Sequence, residues 1–115
     1  MTSDPADFSG ETVSLVQLIA SPFTYSGRKV RLIAYVSFDF EGEGLFIHKE
    51  DYEHGISLNA IRIVIPSDLS QAARKALDKR YVICEGVFVA SKHHSSEELF
   101  ANGTLMKITR IEPWR

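Results

Sequence analysis

The stretch HKEDYEH, residues 48–54, holds two histidines, three acids, a lysine and a tyrosine, a mixture able in principle to bind a metal or move protons. Spacing argues against both. A helical zinc site needs two histidines four apart so that both reach one ion. His48 and His54 are six apart, roughly 240° around a helix. Glu50 or Asp51 could share a face with His54, but each pairing supplies two ligands where a catalytic zinc takes three from the protein. His93 and His94 lie in a serine-rich loop tip, SKHHSSEE, a poor rigid complement. The stretch therefore reads as a polar turn in which Lys49 to Gly55 closes the exit of a hairpin, Gly55 providing a positive-φ stop. The functional alternative is a recognition loop, which adds Tyr52 to the candidate binding residues.

Other chemistries fare no better. There is no G-x-S-x-G, and no nucleophile, base and orienting group are suggested together. The single cysteine, Cys84, sits in the apolar run YVICEGVFV and reads as a small core residue. Gly42 and Gly44 are flanked by Glu41 and Glu43, whose charges repel phosphate. The expectation is a protein that is not an enzyme and uses no cofactor and no metal.

Composition narrows the class. At 115 residues, 44% hydrophobic and 24% charged, the chain fits one globular domain with its own core. A net charge of −2 opposes holding a polyanion by bulk electrostatics, while leaving room for a local basic patch. The first residues, MTSDPADFSGE, do not have the basic and apolar regions of a signal peptide. No apolar run approaches the ~20 residues that cross a membrane. A cytoplasmic, reducing setting without membrane contact is expected.

Any site must be positioned by the elements around it. Residues 1–12 read as a flexible arm and 13–115 as a single domain. In VSLVQLIASPF, Ser14 and Gln17 form a capping box, Val13 can staple against Leu18, and a helix of about two turns follows until Pro22. RKVRLIAYVSFDF alternates as a first strand, Val30, Leu32, Ala34 and Val36 facing a core. A glycine turn leads to a second strand, GLFIH, and NAIRIVIP makes a third. SDLSQAARKALDKR has helical spacing with Ser67 or Asp68 as cap. YVICEGVFVAS is a fourth strand, with Gly86 at a bulge or close approach, and LFANGTLMKITRIE a fifth, kinked at Asn102-Gly103. A small antiparallel sheet hides its edges by closing, so the fold class is an all-β-dominated, five-stranded OB-like barrel. It carries a short N-terminal helix and a helix between the third and fourth strands.

The segment VSLVQLIASPFTYSGRKVRLIAYV resembles the opening of bacterial OB-fold domains of the tRNA-anticodon-binding-like class, where a short helix precedes a Y-x-G-K-x-V pattern. KALDKRYVICEGVF resembles their L-K-x-G-x-x-V-x-V-x-G approach to strand four, with Asp78-Lys79-Arg80 in place of the glycine turn. The chain also resembles, nearly end to end, a group of short bacterial proteins with FEG, KEDYE and NA motifs and a terminal TRIEPW. These resemblances imply the fold. They do not imply an activity, because OB barrels bind nucleic acids, sugars, proteins and small molecules alike.

With the first strand's aliphatic row inward, Arg31 and Tyr35 point out. Phe46 and His48 share one face of the second strand, and Arg62 lies opposite the isoleucine row of the third. A surface of Arg31, Tyr35, Phe46, His48 and Arg62 would combine stacking rings with cations, as single-strand-binding barrels do. Both faces of the second strand are apolar, so Phe46 reads equally as core. The fourth strand is apolar on both faces too, and needs cover from the N-terminal helix or from a partner chain. Trp114 either packs over the barrel end or stands exposed. The leading expectation is a small non-enzymatic binding module whose partner is another protein, of a size and charge that an inhibitor- or immunity-type protein would fit. The alternative is a single-stranded nucleic-acid-binding OB domain.

Overall fold

The computed structural model describes residues 8–39, 42–91, 100 and 102–115. The barrel is built on β2, Lys29–Ser37, in which Val30, Leu32, Ala34 and Val36 are all buried, the row the alternation predicts. It forms an antiparallel hairpin with β3, Gly44–Phe46, which pairs antiparallel with β4, Ala60–Ile63. The chain then crosses through α4, Gln71–Leu77, to β5, Arg80–Ala90, and returns along β6, Gly103–Pro113. β5 is antiparallel to both β2 and β6, whereas β6 runs parallel to β4. The order β2–β3–β4–β6–β5 closes on β2, giving a five-stranded mixed barrel of OB-like form. Leu45, Ile61, Ile63, Val82, Cys84, Phe88 and Leu105 fill its interior with the β2 row.

Four α-helices accompany the barrel among the described residues. α1, Leu15–Ala20, begins with the expected capping box: Ser14 Oγ accepts from the Gln17 N–H at 3.1 Å, and Gln17 Oε1 accepts from the Ser14 N–H at 2.7 Å. Leu15 and Leu18 enter the core beside Val13. Ser14→Ala should cost about 1 kcal/mol in a urea titration, with an unchanged slope, since the loss is confined to the cap. Pro22 opens a second short helix, α2, Pro22–Tyr25, which packs on β5. α4 is capped by Ser70, whose Oγ accepts from the Ala73 N–H, not by Ser67 or Asp68. Those two residues form the turn that precedes it.

Other expectations are corrected. Glu11–Thr12, assigned to the arm, form β1, which pairs parallel with Val30 and Arg31 of β2. Lys49–Glu53 is a helix, α3, not an irregular turn. The Asp51 carboxylate accepts from the His48 N–H at 3.0 Å and from Asn59 Nδ2 at 3.0 Å, locking the first turn to the loop that follows. Acids at Glu50 and Asp51 also suit the positive end of a helix. Gly55, at φ +65°, is the left-handed stop that the sequence indicates. The expected bulge is real, because the β5–β6 register shifts between Glu85 and Val87, around Gly86. Asn102 is buried and donates to the carbonyls of Leu58 and Ala60. Residues 1–7 of the arm, Glu41 of the turn, and the loop tip carrying His93 and His94 lie outside the described residues.

Candidate protein-binding site

The strand registers order the outer face of the barrel into three rows. Ala60, Phe46, Tyr35 and Tyr81 are successive cross-strand neighbours, and Trp114 extends the row through its N–H, which donates to the Tyr81 carbonyl at 2.8 Å. Two residues along β2, Ile33, Ile83 and Glu112 form a second row. Two further along, Arg31, Glu85 and Arg110 form a third.

Apart from Trp114 at its end, the first row is closed over. Tyr35 and Phe46 are 4% and 6% exposed, so the rings expected to stand open for stacking form a second small core. α3 roofs them: the Tyr52 ring lies 5.8 Å from Tyr35 and 5.5 Å from Phe46, centroid to centroid. Phe100 completes the cluster, 5.8 Å from Phe46. Its ring occupies the space above Gly44, where any Cβ would meet it at 2.5 Å. The roof is pinned at both ends. The Lys49 N–H donates to the Tyr81 hydroxyl at 3.0 Å, and the Tyr52 hydroxyl donates to Asp39 at 2.8 Å. Asp39 in turn accepts from Lys79 Nζ at 2.7 Å, and that ammonium lies 4.9 Å from the centre of the Tyr52 ring. The hydrogen bond from Lys79 holds the Asp39 carboxyl below its ordinary range. Burial opposes the Lys79 charge, but its bonds to Asp39 and Asp78 outweigh that and raise its pKa. Burial raises the Tyr35 phenol.

The third row is also covered. Glu85 is 2% exposed and its carboxylate accepts from Arg31 Nε at 3.0 Å and Arg110 Nη1 at 2.9 Å. Arg110 Nε also donates to Glu112. Burial works against the Glu85 charge, yet the two guanidinium groups prevail and lower its pKa. The Phe8 ring lies 4.3 Å from the Arg31 guanidinium carbon.

Between these rows the second stays open. Ile33 is 41% exposed and Trp114 36%, with Ile83 half-buried beside them. A groove of about 540 Å³ runs over this pair, with Val13, Gln17 and Arg31 also in its wall. The cover expected from the N-terminal helix is not supplied, because α1 turns its leucines into the barrel and contributes only the rim.

The six sequence candidates therefore do not form one surface. Tyr35, Phe46 and Tyr52 meet in the closed cluster, and Arg31 is held by Glu85. His48 and Arg62 stand exposed outside it. The open groove draws on three features visible in the sequence: Ile33 in the mixed row of the first strand, the doubly apolar fourth strand, and Trp114. Register connects them, and register is not legible in a single sequence. Cys84 is fully buried and burial pushes its thiol pKa up, so it is not an available nucleophile. No group of three or more His, Cys, Asp or Glu side chains able to hold a metal occurs among the described residues. Among these residues no helix is long and apolar enough to cross a membrane. A scan against protein-family models, a search of curated proteins and a search of solved structures each return no match.

Proposed function

We propose that this chain is a non-enzymatic binding module of the cytoplasm whose ligand is another protein, engaged through the groove over Ile33, Ile83 and Trp114. The observation that carries the reading is the open aliphatic row between two covered ones. An exposed isoleucine, with a half-buried one and a tryptophan beside it, suits the desolvated anchors of a protein interface, where a few large side chains supply most of the energy. The occupant is an apolar side chain projecting from a protein partner. The closed ring cluster favours this reading over nucleic-acid binding, since bases stack on exposed rings.

Affinity capture from host extract tests it, comparing the wild-type chain with Ile33→Asp and repeating each capture after nuclease treatment. The reading expects a partner that survives nuclease and is lost with Ile33→Asp while that variant's melting temperature stays near wild type. Partners that vanish with nuclease, or that Ile33→Asp retains, count against it. A second expected outcome concerns oligonucleotides. In fluorescence anisotropy, mixed-sequence single strands should show no binding at physiological salt, because the net charge is −2 and the rings are covered. Micromolar binding that weakens steeply with salt would favour the nucleic-acid alternative.

A further inference from the structure

We propose that two copies of this chain pair through the outer edge of β6, antiparallel and centred on Ile111. This goes beyond the protein-binding reading and does not depend on it. β6 is bonded to β5 along one side, but on the other it meets β4 only at Thr104 and Leu105. From Met106 onward that side has no strand partner among the described residues.

The phase of the edge follows from one hydrogen bond. The Trp114 N–H donates to the Tyr81 carbonyl, and the register runs without a break from Val82–Pro113 to Glu85–Arg110. Backbone groups of an antiparallel pair alternate between the two sides. The N–H and C=O of Glu112 and Arg110 therefore face β5, and those of Ile111 face away. A groove of about 320 Å³ lies along this edge, walled on its far side by Pro66, Asp68 and Leu69.

The sequence of the edge, Thr109-Arg110-Ile111-Glu112-Pro113, selects a second copy as that strand. A two-fold axis through Ile111 lets its N–H and C=O exchange hydrogen bonds with the same residue of the other copy. It also sets the Arg110–Glu112 ion pair of each copy against that of the other, Arg110 opposite Glu112 on the same face, so that unlike charges alternate across the axis. Glu112 is within reach, its side chain 31% exposed. Centring one residue earlier instead would place the two arginines against each other. The ends of the segment limit the pairing. Pro113 has no N–H to donate, and the chain bulges where Lys107 adopts φ +51°. Such a pairing occupies the same edge on both copies, so it closes as a dimer and does not propagate into a fibre. A pairing confined to so short a segment of one edge is small beside the ~1,200 Å² of stable interfaces, so it is expected to form at high concentration.

Sedimentation equilibrium from low-micromolar to millimolar protein, paired with residue-resolved amide hydrogen exchange, tests this. The mean mass should rise toward that of a dimer, and the Ile111 amide should gain protection as concentration rises, while the Trp114 amide is protected throughout. Glu112→Lys, which sets a cation opposite Arg110 across the axis, should return the protein to monomer, with a melting curve confirming that it folds. A monomer at every concentration overturns the proposal. So does a dimer in which Ile111 exchanges as fast as in dilute protein, or a dimer that a folded Glu112→Lys variant leaves intact.

Discussion

Phe46→Ala is expected to cost about 3–5 kcal/mol in a denaturant titration, the range for removing a buried ring. The ring is 6% exposed and packs edge-on against Tyr52 and Phe100. Each such aromatic pair adds about 0.5–1.5 kcal/mol beyond the area it removes from water. The truncation also opens a void beneath α3 and removes one of the two rings that Tyr52 covers, leaving Tyr35 as the other. If the ring served an open stacking surface, the same change would leave stability nearly intact. A loss of about 0.5 kcal/mol or less, the size of an ordinary surface substitution, would place Phe46 outside the core.

Arg110→Ala should be the second large effect, toward the lower end of the ~3–5 kcal/mol that follows from stripping a partner off a buried charge. Glu85 keeps Arg31, which bounds the loss. The same carboxylate sets a pH dependence. Its folded pKa is lowered, so its contribution is fully present above the ordinary glutamate value of about 4.3 and is lost as pH falls through the folded value. Asp39, also lowered, acts in the same direction. Melting temperature measured from neutral to acid pH should therefore fall on the acid side. Glu85→Gln should be less stable than wild type at neutral pH and lose less on acidification. An acid limb identical in the two proteins would remove Glu85 from the account.

Much of the barrel was legible because its signals are local. The alternation at Val30–Val36, the Ser14 and Gln17 capping box, and the glycines at Gly55 and Gly86 each report on a few neighbouring residues. What escaped is non-local. α3 forms because Asp51 reaches both back to His48 and forward to Asn59, and the second contact depends on how the loop folds. Tyr35 points out of the barrel, as the alternation requires, but whether it meets water depends on Tyr52 and Tyr81, which are far along the chain. Arg31 likewise reads as a free cation until β5 brings Glu85 opposite it. Outward and exposed are different properties, and only the first is periodic in sequence.

The most direct measurement of the central claim is site-specific photo-crosslinking in the native host. A crosslinking amino acid replaces Ile33 in one variant and Lys75, exposed on α4, in another, and the captured species are identified by mass spectrometry. Protein binding through the open aliphatic row predicts a protein adduct from position 33 and none in common from position 75. Adducts only to nucleic acid, or the same protein captured equally from both positions, would contradict it.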